Sequence, residues 1–226
     1  MLAYTSTFGA SSAATTAPAP VAFLAETQTV ALTATETNYS GSFAAASSCA
    51  AVTVAPATAT NGQFTVTAAA PATTGCTITV TGATGKTAAV AATVPTPGGI
   101  QLRWVGPGYQ NDAPPVALLP TPINLVGTGS IFAATLVMSE TGYLGTFTTP
   151  TASAGCGGDV AIATATPVIP PLPAPPLGTA WAYYTVTASA AIAQSANCTI
   201  GSGDSATPVS TGTIGVVVTT SGGTIQ

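Results

Sequence analysis

Eight side chains of this 226-residue chain are charged at neutral pH: Lys86, Arg103, Glu26, Glu36, Asp112, Glu140, Asp159 and Asp204. There is no histidine, the six carboxylates lie at least ten residues apart, and no D-x-D spacing of a calcium loop occurs. General acid–base work, nucleophile activation and metal ligation all need such groups in company. A reaction centre could arise only if folding brought two carboxylates face to face, as in a glycosidase. No clustered tryptophans of a sugar-cleaving site accompany them. The sequence therefore reads as that of a protein without catalytic, metal-binding or cofactor residues.

The remaining reactive groups are Cys49, Cys76, Cys156 and Cys198, one pair in each half. Four cysteines allow three pairings. Neither a C-x-x-C nor a Cys/His cluster is present to hold zinc. We read Cys49 with Cys76 and Cys156 with Cys198 as disulfides, and hence an oxidising, extracellular setting.

Composition narrows the partners. Only 4% of residues are charged, against about a quarter in ordinary globular proteins. Two cations cannot form the basic stripe that phosphate binding requires, so nucleic acid is not an expected partner. The positive mean hydropathy, +0.52, comes from Ala, Val and Ile dispersed among Thr and Gly. No window approaches the roughly 18 apolar residues of a membrane helix, so no membrane insertion is expected. The first twenty residues lack the basic start and apolar stretch of a secretory signal.

What positions these residues is a repeat. Thr35 to Phe43 and Ser139 to Phe147 share the pattern T/S-E-T-x-Y-x-G-x-F at an offset of 104. Each copy is followed by a cysteine, then by Phe64-Thr-Val-Thr-Ala or Tyr184-Thr-Val-Thr-Ala, then by Cys76-Thr-Ile or Cys198-Thr-Ile. Conserved order and content together mark an internal duplication. The cysteine spacing grows from 27 to 42, and the proline-rich run Pro167 to Pro176 accounts for the difference. Leu2-x-Tyr4 and Leu102-x-Trp104 extend the match, giving domains 1–96 and 97–226 joined at Pro95-Thr-Pro-Gly-Gly99.

Within each half, apolar residues alternate over short runs such as Phe64-Val66-Ala68 and Ile214-Val216-Val218. That is the period of a strand with one buried face. Abundant Thr and Val favour strands, and 24 Gly with 19 Pro interrupt helical windows. The expectation is an all-β chain of two tandem sandwiches, about seven strands each, with essentially no helix.

The succession of Gly-x-Phe, a cysteine, Phe-Thr-Val-Thr, Gly-Cys-Thr-Ile-Thr-Val, a Gly turn and a final Thr/Val strand resembles bacterial immunoglobulin-like (Big-type) domains of secreted surface proteins. Both halves carry it. The resemblance implies two immunoglobulin-like sandwiches and an extracellular, cell-surface address; the role differs among such proteins.

Three groups of residues are candidates for function. Leu2, Tyr4 and Phe8 lie on one face of a possible first strand, followed by a linker from Gly9 to Pro20. Such a strand completes its own sandwich or is donated to a neighbour's. Arg103, Trp104, Tyr109 and Asp112 mix a cation, aromatics and an acid as a sugar-binding or junction patch would; Leu102 and Trp104 should face the core, with Arg103 turned outward toward Asp112. Glu36 and Glu140 recur at equivalent positions and read as turn carboxylates accepting backbone N–H groups. Tyr39 and Tyr143 read as corner residues with a packed ring and a hydroxyl bonded to backbone. Lys86, after Gly85, reads as a solvated turn lysine. The expected role is a structural subunit of an extracellular, pilus-like filament or surface layer, with itself as head-to-tail partner through strand addition and apolar contacts. The rival is an adhesin or carbohydrate-binding module that recognises surface glycans.

Overall fold

Alternating burial along Thr29–Ala34, Gln63–Ala68 and Thr87–Val94 is the physical signature of strands that bury one face. The computed structural model describes residues 1–6, 11–15, 18–105, 122–127, 132–165, 176–189, 191–192 and 196–220. Among these the chain is all-β, two β-sandwich units in tandem. The one helical element is a 3-10 turn at Ala154–Cys156.

The first sandwich contains β1 (Leu2–Ser6), β2 (Ser11–Thr15), β3 (Val21–Ala22), β4 (Thr29–Ala34), β5 (Phe43–Ser47), β6 (Val52–Ala55), β7 (Thr58–Ala59), β8 (Gln63–Ala68), β9 (Ala72–Gly82) and β10 (Thr87–Val94). The second contains β11 (Gln101–Val105), β12 (Ile123–Gly127), β13 (Phe132–Thr141), β14 (Thr151–Ala152), β15 (Val160–Thr164), β16 (Thr179–Ala188), β17 (Thr199–Gly203) and β18 (Thr211–Thr220). The sheets run β2-β1-β4-β8-β6 and β3-β10-β9-β5-β7 in the first, β11-β13-β16-β15 and β12-β18-β17-β14 in the second. Without β2 and β7 the two orders coincide strand for strand. In each, a strand near the start runs parallel to the last strand, β3 along β10 and β12 along β18.

Ten and eight described strands replace the expected seven per half. The surplus is mostly two-residue pairings (β3, β7, β14), too short to leave an alternating pattern, and β2. That strand lies inside the stretch read as a linker, Gly9 to Pro20, where it turns back antiparallel onto β1. Its Ser, Ala and Thr side chains suit a sheet edge but give no periodic signal.

Two hydrophobic cores follow. One is built from residues between Leu2 and Val94 and the other from residues between Ile100 and Val218. Disulfides close within each: Cys49 to Cys76 ties the end of β5 to β9, and Cys156 to Cys198 ties the 3-10 turn to the start of β17. Tyr39 and Tyr143 explain the repeated motif. Their hydroxyls donate to Ser42 O (2.8 Å) and Thr146 O (3.0 Å). Each ring folds over the glycine two residues on, Gly41 or Gly145, where a Cβ would collide with it. The following Phe43 or Phe147 packs on the ring at centroid distances of 5.2 and 6.1 Å.

Candidate functional site at the domain junction

A chain with few charges places three of its six carboxylates where two domains meet: Glu26, Glu140 and Asp204 are 3%, 1% and 7% exposed. Burying an ionised group is costly unless it is bonded or neutralised, so each position implies specific partners.

Glu26 belongs to the first sandwich and reaches the second. Its N–H donates to Gly142 O (2.9 Å), its carbonyl accepts from Leu144 N–H (3.2 Å), and its Oε2 accepts from Thr207 N–H (3.0 Å). Residues Glu26, Tyr143 and Thr179 thus form a short parallel run of bridges. Thr27 adopts a left-handed backbone, φ 68°, which turns the chain back so that its N–H meets Ala68 O. Gly178 admits the neighbouring chain, since a Cβ there would lie 2.7 Å from Leu24 O.

Glu140 ends the long strand β13 and meets the linker. Gly98 N–H donates to Thr141 O (2.8 Å) and Gly99 N–H to Glu140 Oε1 (3.1 Å). Gly99 has φ 81°, a conformation a glycine adopts without penalty. Asp204 Oδ1 accepts from the N–H groups of Ala206 (3.1 Å) and Ser210 (2.9 Å). The Ser210 hydroxyl donates to Asp204 Oδ2 and accepts from Ile100 N–H (3.2 Å).

The Ser210 hydroxyl touches both carboxyls, since it also lies 3.5 Å from Glu140 Oε1. Burial, then the hydrogen bond and negative charge of Asp204, push Glu140 up to about 7. Burial opposes ionisation of Asp204 too, but hydrogen bonds from Glu140, Ser210 and the loop backbone outweigh it and hold that carboxyl below its usual range. No donor is aimed at Glu140 Oε2, an environment that favours the protonated carboxyl over the carboxylate. Through Gly99 N–H and Ser210, these two carboxyls fasten the Ser210 loop and the linker to β13.

The other candidate residues fall as follows. Leu2 and Tyr4 are buried in the first sandwich, where β1 pairs with its own β4, and the Tyr4 hydroxyl donates to Pro20 O (3.1 Å); Phe8 lies outside the described residues. Leu102 and Trp104 face the second core, and Arg103 is exposed on the opposite face. Tyr109, Asp112 and the prolines of the run from 167 to 175 lie outside the described residues. Strand register sets Arg103 beside Val137 and Val137 beside Tyr183, with Trp181 two residues away. An aromatic pair distant in sequence, Trp181 and Tyr183 at 6.1 Å, thus shares a sheet face with Arg103.

Of the turn-carboxylate reading Glu140 keeps only the acceptance of a backbone N–H: it lies in strand β13, not in a turn, and its donor is Gly99 of the linker. Glu36 differs: it accepts from the Thr84 hydroxyl (2.9 Å) and pairs with Lys86 at 3.3 Å, so Lys86 is exposed but not merely solvated. Sequence reasoning missed Glu26, Asp204 and Ser210. The available signal was a lone acid inside an apolar or Ser/Gly stretch, where solvation alone offers no reason for a charge. Among the described residues no group of three or more acids, cysteines or histidines could hold a metal ion.

No family model and no curated protein matches the chain. Among solved structures, domains 5–6 of the S-layer protein SbsC align with a TM-score of 0.27 at 16% identity, covering 89% of this chain and 93% of that chain.

Proposed function

We propose that this protein is a non-catalytic structural subunit of an extracellular filament or surface layer, joined head to tail to further copies by strand addition and apolar contacts. The observation that carries this reading is the junction: two disulfide-closed sandwiches are joined to each other by backbone pairing and a buried carboxyl rather than by a tether alone. Disulfides persist in oxidising compartments, which supports the extracellular address. Heterologous contacts that do not close propagate into filaments. The paired carboxyls serve as a fastener, enclosed by backbone and Ser210.

In the strand-exchange form of this assembly, β1 of one copy takes the place of β1 in the next. Thr5 and Ala31 face each other across β1 and β4, both exposed. Cysteines at both positions are expected to yield a ladder of disulfide-linked multimers on a non-reducing gel of assembled material. Monomer bands alone would rule out exchange of this strand.

A second reading, glycan recognition, draws on Arg103, Trp181 and Tyr183 sharing one face. It predicts a dispersed monomer whose tryptophan fluorescence titrates saturably with an oligosaccharide.

A further inference from the structure

The duplication equates positions in the two domains. Leu2 opposite Ala34 corresponds to Leu102 opposite Met138, and Thr77 opposite Ala91 to Thr199 opposite Gly215. Ala83 N–H reaches the Tyr39 hydroxyl (3.2 Å) as Ser205 N–H reaches that of Tyr143 (3.3 Å). By this correspondence Glu36 matches Glu140, Lys86 matches Ser210 and Ala88 matches Gly212.

In the second domain these positions grip the incoming linker. Glu140 and Thr141 accept from Gly99 and Gly98, Ser210 accepts from Ile100, and Ile100 is buried against Gly212. In the first domain the matching place is an open cleft of ≈ 140 Å³ lined by Met1, Glu36, Phe43, Val80, Lys86 and Ala88, among others. The Ala88 methyl narrows it relative to Gly212, while the half-exposed Met1 side chain at its mouth can give way. Glu36 offers acceptor oxygens and Lys86 a donor at the rim.

The sequence contains a second copy of what the matching groove holds. The linker reads Gly98-Gly99-Ile100-Gln101, and residues 222 to 226 read Gly-Gly-Thr-Ile-Gln, one residue longer. We infer that the cleft beside Met1 receives the segment Gly222 to Gln226 of a second copy, with Ile225 seated as Ile100 is and the N–H of Thr224, in the place of Gly99, donating to Glu36. This rests on the head-to-tail reading above and names its contact: each copy repeats toward its neighbour the junction already built between its own two domains.

Two measurements on the full-length chain test it. In sedimentation across a concentration series, Ile225→Asp should weaken self-association at least tenfold, with far-UV circular dichroism confirming an unchanged fold. Added to the isotope-labelled Ile225→Asp chain, a synthetic hexapeptide of residues 221 to 226 should shift the amide resonances of Glu36, Lys86 and Ala88, and the same peptide with Asp in place of Ile should not. Absent shifts at millimolar peptide, shifts elsewhere, or equal shifts from both peptides would overturn the inference. So would filaments formed equally well by the Ile225→Asp chain, an outcome that leaves the structural-subunit reading standing. Binding at the cleft by a chain that stays monomeric at every concentration would instead sustain the docking and sink the filament.

Discussion

Glu140 sets the pH behaviour of the second domain. Its folded carboxyl is raised to about 7, so the stability it contributes is complete below the ordinary glutamate range, about 4.3, and is lost as pH rises through about 7. Asp204 is held below its usual range, so its contribution is present above about pH 3.9 and lost only in stronger acid. The two windows overlap in mild acid, and the domain should be most stable there and weaken toward neutrality. Loss of the Glu140 proton leaves two carboxylates that repel each other. Melting temperature recorded against pH should fall between about pH 4.5 and 7 for the native chain. Glu140→Gln, which has no proton to lose, should flatten that fall; an unchanged profile would remove Glu140 from the account.

At the scale of elements, the disulfides do work that a small-residue core cannot. More than half of the first core is Ala and Val, which bury modest area per residue. Closing loops of 27 and 42 residues should each contribute about 4 kcal/mol on a chain-entropy basis. Chemical denaturation with and without reductant should show a loss of that order per bridge, and a midpoint unmoved by reductant would contradict it. Strands β8 and β9 were legible in the sequence because Phe64-Val66-Ala68 and Ile78-Val80 alternate strictly. So was the tyrosine corner, since the Gly two residues after Tyr39 or Tyr143 has a steric reason to recur. The two-residue strands were not, because they are too short to alternate, and neither was β2, whose Ser-Ser-Ala-Ala-Thr sequence has no apolar period. The junction carboxyls were illegible for another reason: Glu26 and Thr207 are 181 residues apart, and nothing local marks a pairing that only domain docking creates.

At the scale of the molecule, the junction ties the two domains together. Glu26 is the single side chain that crosses from the first domain to accept a backbone N–H of the Thr207 loop among the described residues. Glu26→Ala removes that acceptor and leaves Thr207 N–H without its partner, a cost of about 1–3 kcal/mol if it stays buried. Small-angle scattering of the variant should show a wider spread of interdomain distances at unchanged domain size; identical profiles would place the rigidity in the backbone bridges alone.

The parallel pairing of an early strand with the last one acquires meaning once the chain is under tension. Once the strands ahead of it have been pulled away, tension between the ends of a domain drags β12 along β18, or β3 along β10, so the bonds of that ladder share the load and must fail together. In the second domain five residue pairs resist in this way, Ile123–Gly127 against Val216–Thr220; in the first, Val21 and Ala22 offer two. The first domain should therefore yield at the lower force in single-molecule pulling, and each extension should stop short by the length of chain locked behind its disulfide. A filament of such units would carry a built-in fuse at every repeat, one that lengthens without parting.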